Sequence, residues 1–590
     1  MGLVLRAALT DYGPGINEKI WQVRFSSVAQ DGVTLTYHRS PDDLTARQCT
    51  GRAIWMPLLV RWTIPAGFFL GALLLIGVTL KDYGIAWDEP SYFHAADLHI
   101  AWIAELGTNI NQGTIQQSLT DQNIKAAWHW DPYHVPHPPF SRIVSGITRS
   151  VFSVWLDKVS GYRLAPALFF ALLVTVMFLW MKELFGRATG LFSALALIVM
   201  PNIFGFAHIA VTDLPLASLW FLTAYCFWKG LEDWKWSAVC GVIWGLALAT
   251  KFPALLIPIP LIVWGHVFHR KSYANNIFAM LFLGPLIMIA TQPYLWHQSG
   301  LRILEFLYEG LSRGYRADTN FAIYFFGQLY STHQLPWHYP FFLVGVTTPE
   351  PILLLAIIGI LSITWLRERM SLIMFFTLNA VFVLVLGLLP GAVLHDGVRQ
   401  MLPALPFLAA LAGGGFYFSL LSLINLGTQL NPLKKISHYT FKVTATLAVL
   451  FLFTPALDTF LCHPYQLSYY NRLVGGIRGA YARGFDITYF MEAFTPDLLR
   501  TLNDRLPQNA VINASFANFM FHYYKKEGQL RSDIEISDNQ SFDYYILLNR
   551  RSALSIKERS LITGPFDTYL ALRLAGVPLV AIFEFKKPRS

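Results

Sequence analysis

Eleven apolar runs set what this chain can fold into. They lie near Pro57–Leu80, Leu164–Met181, Ala188–Phe204, Ile209–Trp228, Trp236–Thr250, Phe252–Phe268, Ile277–Leu295, Phe341–Trp365, Leu372–Leu389, Leu402–Leu423 and Phe441–Leu457. Each is close to the length needed to cross a hydrocarbon core of ~30 Å. Backbone N–H and C=O groups in lipid must be satisfied within their own segment, so such runs predict helices. The expectation is a polytopic α-helical membrane protein with about eleven spans. Composition agrees: 54% of residues are hydrophobic and 14% charged, whereas a soluble domain carries about a quarter charged residues. The net charge of +9 reads as a topology signal. No basic stripe interleaved with aromatics is present, so nucleic acid is not an expected partner.

Alternate short loops carry the bases: Lys182 and Arg187; Lys229 and Lys235; Arg270 and Lys271; Arg367 and Arg369; Lys434 and Lys435. The positive-inside rule puts these at the cytoplasm. The Lys81–Tyr162 loop, the loop leading to Asp213, the Trp296–Pro340 loop, the His395–Arg399 turn and everything after about Asp458 are then expected outside. Three regions follow: a polar cytosolic extension over 1–55, a membrane domain over 56–458 that includes the outer 81–162 loop, and an outer segment over 459–590. The first residues include Arg6 and Asp11 and lack the pattern of a secretory leader. Cys49, Cys226, Cys240 and Cys462 have no zinc-ligand spacing.

Two stretches outside the spans carry their own periodicity. In "FSRIVSGITRSVFSVW" the residues Ile143, Ile147, Val151 and Trp155 recur every four positions, with Arg142 and Arg149 off the stripe. That spacing predicts a helix in the membrane interface, or else an ordinary buried helix of a folded loop. In the tail, "NAVINAS", "DYYILLN" and "VPLVAIFEF" read as short strands separated by helical stretches such as "TPDLLRTLNDRL". A small α/β domain is expected there, and as it lacks a Gly-rich phosphate turn it is read as a packing or docking module.

Polar and ionisable residues gather at the outer ends of the spans: Asp88 and Glu89; His137, Arg142 and Arg163; His208 and Asp213; Lys251; Gln292 and Tyr294; His333 and His338; His395, Asp396 and Arg399. Charges at membrane depth are expensive and are kept for function. Arg and Lys suit a phosphate, and a carboxylate beside them suits a base that activates a hydroxyl. Together they fit displacement at a sugar carbon whose leaving group is a lipid phosphate. A multi-span transporter or lipid flippase is the main alternative, with these charges as its gate. Transporters, however, set such residues near the midplane. A third reading assigns function to the tail domain and makes the spans an anchor. Single residues also have plainer roles: Asp213 in "TDLP" can cap a helix, Arg163 can snorkel, and His137 before two prolines can position a loop.

An ordered set of motifs adds a resemblance. "WDEPSYF", "HPPFSR", "YRLAPALFF", "HIAVTDLPLASLW", "GLALATKFPALL", "LPWHYPFFLVGVTTPEPILLL", "HDGVRQMLPALPFLA" and "HPYQLSYYNRLVGG" follow one another between Lys81 and Glu492. In this order they resemble the GT-C superfamily of membrane glycosyltransferases. The likeness is greatest to the bacterial branch of the dolichyl-phosphate-mannose–protein mannosyltransferases, and more distant to the lipid A aminoarabinose transferases. The resemblance implies a polyprenyl-phosphate sugar donor, a lipid, glycan or protein acceptor, and inverting single displacement. It implies Asp88 as the catalytic base, with Glu89 orienting it or the acceptor. Arg163, Lys251, His137 and Arg142 would bind the donor phosphate, and Asp213, His395 and Arg399 would complete the site. A divalent metal on Asp88 and Glu89 is compatible with it. So is a bacterial inner membrane location, with the site and the C-terminus on the periplasmic side. The Trp296–Pro340 loop is too short for the β-trefoil domain of eukaryotic protein mannosyltransferases, so a protein acceptor does not follow.

Overall fold

The computed structural model describes residues 55–129, 137–316, 319–430, 436–539 and 541–585. The expected N-terminal extension, Cys49 and the Lys434–Lys435 loop lie outside the described residues. The chain divides into two compact units, Met1–Arg61 and Trp62–Ser590. Of the first, the described part is the start of helix α1 (Trp55–Gly77).

Each expected apolar run forms helix. After α1 come α2 (Glu89–Asn111) and α3 (Phe140–Val151), then α4 (Lys158–Phe185), α5 (Arg187–Ile198), α6 (Asp213–Lys229), α7 (Trp234–Leu248), α8 (Pro258–Phe268) and α9 (Ala274–Thr291). There follow α10 (Ser299–Ser312), α11 (Tyr339–Thr347), α12 (Glu350–Leu361), α13 (Met370–Leu386), α14 (Ala404–Leu430) and α15 (Ile436–Leu461). By length and composition, five of the described helices can cross a membrane, or six if the α11–α12 pair counts as one span. That is fewer full-length spans than the eleven runs suggest, and proline breaks several of them. Pro349 and Pro351 bracket the start of α12, where the path bends by 120°. Pro201 follows α5, and Pro253 lies in the 3-10 turn before α8. Each proline lacks an N–H and crowds the preceding turn.

The long helix α4 anchors the bundle. Asp157 caps it by accepting the Ser160 N–H at 3.0 Å, and the positive-φ Gly186 ends it. Trp180 in its middle is fully buried among Phe221, Phe375 and Phe376. Helices α12 and α14 pack backbone to backbone. A Cβ on Gly415 would sit 1.9 Å from the Leu355 carbonyl oxygen, so only glycine permits this approach. Helix α3 is inverted relative to a soluble helix. Its polar residues Ser141, Arg142, Ser145 and Thr148 are buried, while Ile147 and Val151 on the expected stripe face outward. An outward apolar face suits an interfacial helix and not an ordinary buried one. Trp155, expected to extend the stripe, is exposed beyond the helix end.

The tail forms a five-stranded sheet of order β4-β3-β5-β7-β6. The hairpin before it supplies β1 (Ala322–Phe325) and β2 (Gln328–Ser331); the sheet itself comprises β3 (Val511–Asn513), β4 (Glu535–Ile536), β5 (Tyr544–Leu548), β6 (Leu570–Leu574) and β7 (Val577–Glu584). The three strands read from sequence are β3, β5 and β7. Strands β3, β4 and β5 run parallel, and β7 is antiparallel to β5 and β6. Helix α16 (Pro496–Arg505) starts at a Thr495 cap, and α17 (Asn518–Lys526) follows β3. This sheet belongs to the same compact unit as the helices. The segment leading to it is tied to the outer loops: the Gly84 N–H donates to the Glu492 carbonyl at 3.1 Å and the Gly327 N–H to that of Gly484 at 2.9 Å, while the Ile85 N–H donates to the Tyr524 hydroxyl of α17 at 3.2 Å.

Candidate active site

Asp88 is the N-cap residue of α2 and Glu89 its first residue. Neighbouring positions at a helix start point about 100° apart, and the two carboxylates diverge. Glu89 is fully buried against Arg163, which donates Nε–H to Oε1 at 2.8 Å and Nη2–H to Oε2 at 2.6 Å. Glu89 also accepts the Ala86 and Ala210 N–H groups, both at 2.8 Å. Arg163 places its other three N–H groups on the carbonyls of Leu80, Tyr83 and Gly84. All five donors of that guanidinium are therefore engaged within the protein. Arg163 and Glu89 are a clamp that locks the α1–α2 loop onto α4, and the expected phosphate role of Arg163 has no free N–H to rest on.

Asp88 points into a different network, whose centre is Arg399 in the turn before α14. Its Nη2–H donates to Asp88 Oδ2 at 2.5 Å, its Nε–H to Asp213 Oδ2 at 3.1 Å, and its Nη1–H to Asp396 Oδ2 at 2.9 Å. The guanidinium lies over the Phe490 ring, 4.3 Å from its centroid. Asp213, at the first position of α6, gives its second oxygen to Lys251 Nζ at 2.6 Å. Lys251 also reaches Gln400 Oε1 at 3.2 Å. Asp213 and Lys251 are thus brought together as expected, but both are committed to each other and to the Arg399 turn. The turn itself is "HDG". Asp396 and Gly397 both have positive φ, 55° and 67°, a conformation open to Asp and Gly. A Cβ on Gly397 would also meet the Tyr489 ring at 3.1 Å.

A cavity of about 1090 Å³ lies over this network. Its charged end is formed by Asp88, His137, Arg313, His395, Asp396, Arg399 and Arg550. Arg163, Lys251 and Arg142 do not line it. The Asp88 side chain is 26% exposed, whereas those of Asp213 and Asp396 are 0% and 9% exposed. Asp88 therefore combines a fixed cationic partner with an open face.

Two histidines flank the opening. His137 is buried; its Nε2 accepts from Arg313 Nη1–H at 3.5 Å, and its Nδ1 has no partner. Arg142 donates Nη2–H to the His137 carbonyl at 2.6 Å and stacks near Tyr92, so it holds the His-Pro-Pro loop in place. His395 stacks on Phe321 at 4.4 Å, with its Nε2 3.5 Å from Asp396. Burial first, then the nearby guanidiniums, hold both rings well below the ordinary histidine range, so both are neutral at pH 7.

Sequence reasoning passed over three contributors. Arg313, just after α10, lines the cavity, and among the described residues no carboxylate pairs with it. Arg550, from the loop after β5, pairs with Asp396 Oδ1 at 2.9 Å and donates to the Tyr489 carbonyl at 2.8 Å. Glu492 is fully buried; its Oε2 accepts the Phe490 N–H at 2.9 Å and its Oε1 has no partner. Burial pushes its carboxyl up to about 7. The signals were present: bases in "SRGYR" and "NRRS", and a lone acid in the apolar "YFMEAF".

The acidic pair does not fit a divalent metal. Glu89 faces Arg163, Asp88 faces Arg399, and hard cations need several converging oxygens. Among the described residues no group of three or more His, Cys, Asp or Glu is arranged to hold an ion. His208 donates Nδ1–H to the Phe204 carbonyl and meets Thr79 Oγ1, both at 2.8 Å.

A helical membrane bundle with an ion-paired acid at one end, beside a cation-rich cavity, defines a class. Residues 136–297 match the family described as "Dolichyl-phosphate-mannose-protein mannosyltransferase". The matched stretch holds His137, Arg163, Asp213 and Lys251, and over it the chain resembles this family of GT-C membrane glycosyltransferases. Particular solved structures align more widely at low identity. ArnT from Cupriavidus metallidurans bound to undecaprenyl phosphate shares 15% identity, over 90% of this chain and 98% of that one, with a TM-score of 0.44. The apo oligosaccharyltransferase of Archaeoglobus fulgidus shares 13% identity, over 86% of this chain and 62% of that one, with a TM-score of 0.42. No curated protein matches the chain in sequence.

Proposed function

We propose that the protein is a membrane glycosyltransferase that moves a sugar from a polyprenyl-phosphate donor to an acceptor hydroxyl or amine. The observation that carries this reading is the Asp88–Arg399 pair at the cavity floor, with Arg313 beside it. Arg399 holds one oxygen of Asp88 in place; the open face of Asp88 is available to the acceptor. The charge balance also supports it. Among the described residues, Asp88, Asp213 and Asp396 are set against Lys251, Arg399, Arg550 and Arg313, which leaves one positive charge in excess in this network. A lipid-linked phosphodiester carries one negative charge and would neutralise the site.

In this mechanism the acceptor O–H or N–H gives its proton to Asp88 as its lone pair attacks the anomeric carbon. The bond from that carbon to the phosphate oxygen breaks on the opposite face, and the configuration inverts. Arg313 stabilises the charge gathering on the leaving phosphate. Lys251 and Asp213 hold Arg399 in register and do not touch substrate. The alternation of basic loops supports an outer-face site with the tail on the same side.

The test is to incubate purified protein with a panel of polyprenyl-phosphate sugars and membrane extract, and identify the product by mass spectrometry. Asp88→Asn should lower transfer by about 10²–10⁴-fold while leaving donor binding intact. Near-wild-type turnover in that variant removes Asp88 from the mechanism. Flux of the lipid across sealed vesicles without any covalent product would favour the transporter reading instead.

A further inference from the structure

The cavity over Asp88 has two unlike halves. Its floor is charged, as described above. Its outer half is walled by Trp87, Phe93, Phe516, Phe519 and Tyr523, with His94, Asp97, Lys158, Lys526 and Glu527 between them. The aromatic wall is drawn from both ends of the chain. Trp87 precedes α2, Phe519 and Tyr523 lie on α17 of the sheet domain, and the Trp87 and Phe519 rings meet edge to face at 4.5 Å. Both rings remain 40–41% exposed. The charges of this half cancel: Lys158 pairs with Glu527 at 2.9 Å, Asp97 accepts the Tyr162 hydroxyl, and Lys526 is the remaining cation.

We propose that this outer half is the acceptor subsite and that its ligand is a saccharide. The proposal rests on the glycosyltransferase reading for its role and on the cavity wall for its chemistry. A sugar ring offers apolar C–H faces that pack on aromatic rings, and hydroxyls that donate to Asp97 and Glu527 and accept from Lys526. Aromatic walls with a few placed polar groups are the ordinary make-up of a small-molecule site. An anionic headgroup would call for a surplus of cations, which the floor has and this half lacks. A peptide would call for an open strand edge; no strand of the five-stranded sheet lines the cavity, and the β1-β2 hairpin reaches it only at Ala322, the first residue of β1. The volume fits as well: about 1090 Å³ is at the top of the range for small-ligand sites, enough for a second sugar beyond the donor's headgroup. The sheet domain then selects the acceptor, and is more than a packing module.

The experiment is saturation-transfer NMR on the purified full-length protein in detergent. The probes are a panel of neutral disaccharides (mannobiose, chitobiose and maltose) and a Ser/Thr-containing pentapeptide, each with undecaprenyl phosphate present. At least one disaccharide should receive saturation at its ring protons. Trp87→Leu and Phe519→Ala should each weaken that binding about five-fold, the change made by about 1 kcal/mol. Undecaprenyl phosphate affinity, read on the same samples, should stay at the wild-type value and so confirms that each variant is folded. Absence of every disaccharide signal in protein that binds the lipid phosphate overturns the proposal. So does an undiminished signal in both variants, or binding of the pentapeptide in place of the sugars. Disaccharide binding by a protein that neither binds the lipid phosphate nor transfers sugar would refute the glycosyltransferase reading and leave the saccharide site standing.

Discussion

Arg163→Ala removes five donated hydrogen bonds at once from a place that water does not reach. The two that matter most go to Glu89, whose side chain is 0% exposed and would keep only the N–H groups of Ala86 and Ala210 as partners. Removing one partner of a buried ion pair costs about 3–5 kcal/mol, because the other charge is stranded. The carbonyls of Leu80, Tyr83 and Gly84 lose donors as well, each worth about 1 kcal/mol. The total, about 6–8 kcal/mol, rivals the whole stability of many domains. The expected outcome is low yield and an early thermal unfolding transition in detergent, while the fraction that folds binds undecaprenyl phosphate with wild-type affinity. The double variant Glu89→Gln with Arg163→Ala should regain part of the loss, since it strands no charge. A stable Arg163→Ala protein that has lost the lipid phosphate would refute this reasoning and return Arg163 to the donor site.

Arg313→Ala should do the opposite. Loss of a charge-assisted contact of about 1.5–3 kcal/mol weakens lipid-phosphate binding by roughly 10–100-fold, with the unfolding transition unmoved; equilibrium binding and thermal unfolding measure the two. Arg399→Lys keeps the charge but loses the fork that reaches Asp88, Asp213 and Asp396 together. It should lower both the transfer rate and the unfolding temperature, and a rate at the wild-type level would show that the fork is dispensable. Glu492 sets a pH dependence. Its folded pKa of about 7 exceeds the unfolded value near 4.3, so the folded state holds the extra proton. Stability therefore falls as pH rises from about 4 to 7, and Glu492→Gln should flatten that slope, as read from unfolding midpoints across the range.

Much of the fold was legible because membrane helices announce themselves residue by residue. Apolar length alone located α1, α4 to α9 and α11 to α15, and short strand-like runs in the tail located β3, β5 and β7; α10 lies within the Trp296–Pro340 stretch that was read as a loop. The broken path at Pro349 was equally visible in principle, but a hydropathy run is blind to direction. The site was legible as a set of residues and not as a set of partners. Asp88, Asp213, Lys251 and Arg399 do converge. Which base meets which acid depends on how helix ends rotate, and sequence does not encode that locally. Arg163 and Arg399 look alike in the chain, yet one closes a loop and the other grips the candidate base. The tail was read as chemically silent because its residues have no motif. Arg550 and Phe519 count only because folding brings them over α2.

The Arg399 fork has a consequence for how the protein comes into being. Asp88 and Arg399 are 311 positions apart, and Asp213 and Asp396 must also be in place before the fork closes. A chain emerging from the ribosome makes Asp88 early and Arg399 late. Until the last third of the sequence has been delivered, Asp88 lacks the partner that fixes its oxygen. On the proposed function, a truncated or half-inserted product lacks the Asp88–Arg399 pair, so assembly and activation become a single event.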